Sequence, residues 1–309
     1  MPPDTTTSDT LDDPKPAPPA CVLVFNCSDP CGAGGLAADV VAMACVGVHA
    51  LPVMTGAQAR DSAKIFDFFP LDDEAVAEQA RAVLEDIEVQ LIKLGFAGTP
   101  DNLGVVAGIS ADYAGIPLIA HMPDLSWWND DAIDAYHQAF VDLILPQTAV
   151  LTGSYSTLRR WLLPHWRHDR SPGARDIAMA AGDLGASYTL VTGIDVPDSG
   201  IENSLSSPQS VLASVRFARL DGPFTGTGDT LCAAFCALLA SGYALTEAFT
   251  EALSYLDGSL KNGFRPGMGH TLPNRLFWAQ PPDQANNNSA ASPLFTPNSP
   301  QDPPNDPTH

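Results

Sequence analysis

Short apolar, β-branched runs alternate with amphipathic helical patterns along most of this chain, and that alternation is the strongest constraint on its fold. Segments 21–26, 50–55, 89–94, 116–121, 141–145, 188–192 and 214–220 read as strands. Segments 36–46, 72–87, 99–113, 130–140, 174–184, 229–240 and 246–260 read as helices. In the second helical segment Val76, Ala80, Val83, Leu84 and Ile87 fall on one stripe at a 3.6 period, behind an acidic first turn that suits the helix dipole. Strand followed by helix, repeated this way, predicts an α/β fold with a mostly parallel sheet covered on both faces. Ligands of such sheets bind beyond the carboxyl ends of the strands. Residues 1–19 and 281–309 are rich in Pro, Asp, Asn, Ser and Thr and hold few large apolar groups. Such segments bury too little surface to offset their ordering entropy, so both are expected to be disordered tails around one domain at 20–280.

The net charge of −21 over 309 residues argues against a nucleic-acid or anionic-membrane surface, because phosphates are repelled across most of the exterior. An anionic ligand must be caught locally, by backbone amides or a few bases. No stretch approaches 18 consecutive apolar residues, and the N-terminus is acidic and proline-rich, so the expectation is a cytoplasmic protein with no membrane partner. Six cysteines lie at 21, 27, 31, 45, 232 and 236 without a C-x-x-C pair, which fits reduced, buried thiols. Cys27 and Cys31 lack further ligands at zinc spacing.

Chemistry concentrates at Gly226-Thr227-Gly228-Asp229, which runs straight into an apolar helical stretch. Two glycines let backbone N–H groups converge at a helix start, where the dipole adds positive charge and makes an anion site. Asp229 at its lip either takes a proton from an alcohol while the amides hold a transferring phosphoryl group, or serves as an ordinary N-cap. Near the N-terminus, Gly32-x-Gly34-x-x-Ala37 matches a dinucleotide fingerprint literally. However, Cys27 to Cys31 separate it from its strand, and the second strand ends in Thr55-Gly56-Ala57-Gln58 without the acid that would bind a ribose. Asp39 shares a helical stripe with Leu36, Val40 and Met43, so a carboxylate sits at the edge of the inward face. It is placed either to bond a polar heterocycle or hydroxyl or to reach water at the rim. Gln58 offers an amide donor and acceptor just past the second strand. His165 and His168 lie three apart in a basic, aromatic segment without further metal ligands. Trp127-Trp128 reads as a lid, a dimer contact or core, and Arg265 as a phosphate ligand or an ion-pair partner.

The segments Ser28-Asp29-Pro30-Cys31-Gly32-Ala33-Gly34-Gly35-Leu36-Ala37-Ala38-Asp39, Met54-Thr55-Gly56-Ala57-Gln58, Ile92-Lys93-Leu94-Gly95-Phe96 and Gly226-Thr227-Gly228-Asp229-Thr230 resemble the hydroxymethylpyrimidine/phosphomethylpyrimidine kinases of thiamine biosynthesis, within the ribokinase superfamily. The likeness runs in order over roughly residues 22–278. It implies a ribokinase-like α/β fold with a central, mostly parallel sheet of about eight strands and helices on both faces. It also implies ATP with Mg2+ as phosphoryl donor, a small-molecule pyrimidine substrate and its monophosphate, and a homodimer. Carried onto this chain, it assigns Asp39 and Gln58 to the aminopyrimidine, Cys27 and Phe96 to the pocket lining, Gly226, Thr227 and Gly228 to the anion hole, and Asp229 to the base. Thr192 and Gly193 would border the nucleotide. Asp229 stands where this family commonly has cysteine and where pyridoxal kinases and ribokinases have aspartate, so a pyridoxal kinase-like enzyme is the nearest alternative. The family's Asn-x-x-Glu motif, associated with Mg2+, is matched near Leu145-Pro146-Gln147-Thr148-Ala149-Val150 only by Gln147 and Val150. The acidic strand end is absent at Leu118-Ile119-Ala120-His121-Met122-Pro123, and Tyr188-Thr189-Leu190-Val191-Thr192-Gly193-Ile194-Asp195 lacks the usual lysine before paired glycines. These departures leave the metal ligands unassigned and open a third reading, a kinase-derived pyrimidine-binding protein with weakened catalysis.

Overall fold

The computed structural model describes residues 18–197 and 199–279. The two expected tails therefore lie almost wholly outside the described residues. In chain order the elements are β1 (Cys21–Ser28), α1 (Gly35–Cys45), β2 (His49–Arg60), β3 (Ile65–Pro70), α2 (Asp73–Leu84), β4 (Leu91–Leu94), α3 (Pro100–Asp112), β5 (Leu118–Met122), α4 (Asp130–Ala139), β6 (Thr148–Ser154), α5 (Tyr155–Leu162), α6 (Ala174–Asp183), β7 (Tyr188–Val196), β8 (Gly200–Ser206), β9 (Val211–Ala218), α7 (Thr227–Ala240) and α8 (Leu245–Lys261). Nine strands form one sheet among the described residues, in the order β3-β2-β1-β4-β5-β6-β7-β8-β9. Strands β2, β1, β4, β5, β6 and β7 pair in parallel, and β3, β8 and β9 attach antiparallel at the two ends. Among the described residues no helix is long and apolar enough to cross a membrane.

The central strands are apolar on both faces because helices cover both. In β1, Leu23, Phe25 and Cys27 enter one core with residues of α2, α3, α4, α5 and α6, while Val22 and Val24 enter the other with α1, α7 and α8. Helix α2 begins where the sequence puts it, with the Asp72 carboxylate accepting from the Glu74 N–H at 3.0 Å. Helix α3 starts on Thr99 in the same way, with Pro100 in its first turn.

Segment 141–145 corrects the sequence reading. It continues α4 as a π-helical turn (Phe140–Ile144) and a short 3-10 turn (Leu145–Gln147) instead of forming a strand. A short apolar run fits either period, and here Phe140 and Ile144, four apart and both fully buried, extend the buried stripe of α4 until Pro146. The strand itself, β6, follows at once. β3, β8 and α5 were not anticipated. β8 reads Gly-Ile-Glu-Asn-Ser-Leu-Ser, too polar to signal a strand, yet it pairs antiparallel with β7 on one side and β9 on the other, each ladder broken by one register shift.

At the carboxyl ends of the parallel strands the face toward α7 turns polar. Alternation places Asn26, Lys93, His121 and Thr152 on the same side as Val24, Leu91, Ile119 and Val150, whose side chains pack under α1, α7 and α8. The ammonium of Lys93 is fully buried. It lies 2.8 Å from Oδ1 of Asp39 on α1 and 3.6 Å from Oδ1 of Asp229 on α7. The Asn26 amide donates to Asp39 Oδ2 at 2.8 Å and to Asp229 Oδ1 at 3.0 Å, so β1, β4, α1 and α7 meet in one charged cluster. Replacing Lys93 with Met leaves two buried carboxylates without their cation. The expected loss of unfolding free energy is about 3–5 kcal/mol, read from urea denaturation. A loss under about 1 kcal/mol would show that the cluster does not hold these elements together.

Candidate active site

The glycine-rich loop after β1 and the start of α7 are pressed together. Gly226 precedes α7 with φ of +80°, and a side chain there would run into the carbonyl oxygen of Ala33. Arg275 clamps the two segments: Nη1 donates to Gly32 O and Nε to Thr230 Oγ1, each at 3.0 Å, and Nη2 donates to Ala33 O. Asp29 shapes the same loop by accepting from Cys31 N–H at 2.8 Å and Gly34 N–H at 2.7 Å, with Arg60 Nη1 3.3 Å away. Sequence reasoning missed both Arg275 and Arg60. It singled out Arg265 instead, whose guanidinium turns back onto Gly269 O within its own loop. Only Asp29 left a local signal, an Asx residue shortly before turn glycines.

Asp229 lies in the first turn of α7 with 22% of its side chain exposed. Its Oδ2 accepts from Gly35 N–H at 2.9 Å, and its Oδ1 is shared by Asn26 and Lys93. Burial alone would raise its carboxyl, but Lys93, His121 and the two donors outweigh it and hold it below the usual carboxylate range. Burial works against the Lys93 ammonium as well, yet Asp39 and the other negative groups lift it above the ordinary lysine range. Lys93 is therefore a permanent cation behind the base.

Asp39 requires a correction. It is fully buried, lies behind the cavity instead of on its wall, and has one oxygen on Lys93 and the other on Asn26. Burial pushes its carboxyl up to about 6 against the pull of Lys93. It is positioned to orient Asn26 and Lys93, and it offers no free oxygen to a heterocycle. The sequence put a carboxylate on the inner face correctly but had no means of finding its partner on β4.

A cavity of about 380 Å³ opens at the strand ends and brings together Asn26, Cys27, Gln58, Phe96, Thr192 and the whole Gly226-Thr227-Gly228-Asp229 turn. Phe96 stands at the centre of an aromatic group, 4.9 Å from the Phe68 ring, 5.4 Å from Trp128 and Tyr136, and 5.8 Å from Trp127. Trp127-Trp128 thus belongs to the pocket wall and its backing. Cys27 is 2% exposed, and burial pushes its thiol well up, so it is an inert wall group. The Gln58 amide has no side-chain hydrogen bond among the described residues. A second cavity of about 240 Å³ adjoins the first through Thr192, Phe224, Thr227 and Gly228. Gly193, Phe217, Leu231, Leu253 and Leu256 give it apolar walls. Thr192 therefore lines both cavities, and Gly193 lines the second, beside Thr227 and Gly228 of the turn.

Gln147 and Val150 are not at this site. The Gln147 amide donates to Ala107 O and Leu143 O at the far end of β6, and Val150 is core. The cavity end of β6 presents Ser154 and Thr157 instead, whose hydroxyls bond each other at 2.8 Å. Among the described residues no group of three or more His, Cys, Asp or Glu side chains is arranged to hold a metal ion, and the oxygens of Asp229 already face an amide, Asn26 and Lys93. The residues present do not form a cage for Mg2+. His165 and His168 are exposed and bring no further ligand.

The sequence model of the phosphomethylpyrimidine kinase family matches residues 29–274. A hydroxymethylpyrimidine/phosphomethylpyrimidine kinase of Streptomyces coelicolor is 28% identical over 256 residues, which cover 82% of this chain and 93% of that protein. In fold, the chain is similar to the pyridoxal kinase of Bacillus subtilis solved with ADP, with a TM-score of 0.76 at 20% identity over 84% of this chain and 98% of that one. It is also similar to a phosphomethylpyrimidine kinase of Clostridium difficile, with a TM-score of 0.62 at 19% identity over 77% and 99%. The ribokinase-like architecture and the family match over most of its length agree, and the chain belongs to the phosphomethylpyrimidine kinase family.

Proposed function

We propose that this protein transfers the γ-phosphoryl group of ATP to the hydroxymethyl group of a small pyrimidine, and to the corresponding monophosphate, as a step toward thiamine. The observation that carries the reading is the convergence on one cavity of a free amide at Gln58, the aromatic wall at Phe96, and the Gly226-Thr227-Gly228-Asp229 turn. A flat, polar heterocycle needs a ring surface and an amide that both donates and accepts; the turn supplies the reacting end. The adjoining apolar slot at Thr192 and Gly193 suits the purine of the donor, with its phosphates directed at the amides of α7. In a chain of net charge −21, Arg60 and Lys64 on the cavity wall are local positive groups a phosphorylated substrate would meet.

The hydroxyl oxygen attacks the γ-phosphorus in line, the new O–P bond forms as the bond to the β-bridging oxygen breaks, and ADP leaves. Asp229 takes the hydroxyl proton. A carboxylate held below the usual range is a weak base, but a loose phosphoryl-transfer transition state demands proton removal only late. The amides at Gly226, Thr227 and Gly228 stabilise the equatorial oxygens without reorganisation. Among the described residues no side-chain cluster forms a cage for Mg2+, so Mg2+ would enter with the ATP, where it would neutralise phosphate charge.

A pyridoxal kinase-like activity is the second reading, favoured by aspartate at position 229. Competition between the two alcohols in an ATP-coupled assay separates them. The binding-protein reading is favoured by the three protein donors already on Asp229. Hydroxymethylpyrimidine that binds in calorimetry without any ADP formation would establish it.

Asp229→Asn is expected to lower kcat by about 10²- to 10⁴-fold while hydroxymethylpyrimidine affinity, measured by calorimetry, stays close to that of the parent. Normal turnover would remove Asp229 from the base role. Gln58→Ala is expected to raise KM for the pyrimidine by roughly tenfold with kcat and the KM for ATP little changed, as loss of a ground-state hydrogen bond requires. An effect on ATP alone would place Gln58 outside the pyrimidine site.

A further inference from the structure

His121 is a buried polar group of the cavity for which the proposed reaction has no assigned use. It ends β5 on the α7 face, is 8% exposed, and lines the same cavity as Asp229. One ring nitrogen is engaged: Nδ1 lies 2.9 Å from Thr152 Oγ1, the residue opposite it on β6. The other, Nε2, has no hydrogen bond among the described residues and presses on the first turn of α7. A Cβ added to Gly228 would sit 2.7 Å from Nε2 and 2.8 Å from Cε1. Gly228 therefore makes room for the imidazole edge, and that edge stands beside the N–H groups that open the helix.

Burial pushes the imidazole down to about 4, so the ring is neutral at physiological pH. A neutral imidazole facing an anion site is useful in only one tautomer. The Thr152 hydroxyl can accept from Nδ1–H or donate to a bare Nδ1; in the tautomer where it donates, the ring proton sits on Nε2 and points toward the helix start. In the opposite tautomer a lone pair would face the incoming oxygens.

We propose that His121 is a phosphoryl-binding residue whose Nε2–H joins the amides of the Gly226-Thr227-Gly228-Asp229 turn as a hydrogen-bond donor to the terminal phosphoryl group of the nucleotide, in the tautomer whose Nδ1 accepts from the Thr152 hydroxyl. This inference rests on the phosphoryl-transfer reading and adds a specific ligand to it. The donor is neutral, so it adds no positive charge that would compete with Lys93 for Asp229. It recognises the triphosphate end of the nucleotide and takes no part in binding the adenosine.

The test is calorimetry with AMP and with the non-hydrolysable triphosphate AMP-PNP, in Mg2+, on the wild-type protein, His121→Ala and His121→Gln. His121→Ala is expected to bind AMP-PNP about 10- to 100-fold more weakly while binding AMP as the wild type does, the range for a hydrogen bond to a charged oxygen. His121→Gln, which keeps a neutral N–H donor, should recover part of the difference, and kcat/KM for ATP should follow the same order. Equal losses for AMP and AMP-PNP in both variants would mark His121 as structural and overturn the role. So would AMP-PNP affinity unchanged in His121→Ala. A wild-type protein that prefers AMP-PNP to AMP keeps the phosphoryl-transfer reading intact in those cases, whereas a wild-type protein that binds neither nucleotide overturns that reading and the role together.

Discussion

A lysine ammonium sealed inside the sheet must be matched by anions brought from elsewhere in the chain, and in this fold that requirement places the site. Lys93 belongs to β4, its partners to α1 and α7, and Asn26 of β1 ties both carboxylates to one amide. Burying a charge is tolerable only with close, well-directed partners, so the two helices have little freedom to shift along the strand ends. The geometry that orients Asp229 toward the cavity is therefore a consequence of the same interaction that pins α7 to the sheet. Arg275 and the close approach of Gly226 to Ala33 then fix the loop that faces it.

The electrostatics follow from that arrangement. Asp229 keeps its negative charge because a permanent cation lies behind it, and part of its side chain stays exposed in the cavity it lines. The anion hole proposed in front would be built from backbone dipoles, which carry no net charge and need no counter-ion. A strongly acidic protein can in this way hold a polyphosphate at one point without a basic surface around it.

Most of the architecture was legible because its signals are periodic. Apolar runs of β1, β2, β4, β5 and β7 and the stripes of α1, α2, α3, α7 and α8 repeat at the spacing their burial demands. The misreading of 141–145 came where a short apolar run serves either period, and β8, polar apart from Ile201 and Leu205, carries little hydrophobic signal. The site divides in the same way. Gln58, Cys27, Phe96 and the Gly226-Thr227-Gly228-Asp229 turn line one cavity as their motifs suggested, because each lies at a strand or helix end. Asp39 was read as a ligand contact because its helical position looks inward, but its oxygens meet Lys93 and Asn26. A contact between α1 and β4, 54 positions apart in the chain, leaves no trace in local sequence. Arg275 and Arg60 act through the same kind of distant approach.

The residues that replace acids at the strand ends make physical sense beside this cluster. Lys93 offsets one of the two carboxylates, so the cluster retains about one net negative charge close to where a triphosphate must lie. At an effective dielectric near 20, each further unit charge within about 4 Å of a phosphate oxygen would add on the order of 4 kcal/mol of repulsion, unless a cation lay between them. His121, Ser154 and Thr157 contribute hydrogen-bonding groups at these positions without that charge. A site of this kind favours direct contact between neutral donors and phosphate oxygens. On the proposed reading, charge neutralisation would fall to the cation the nucleotide carries and to the dipole of α7, and the hydrogen-bond geometry at His121 would matter more than any single added base.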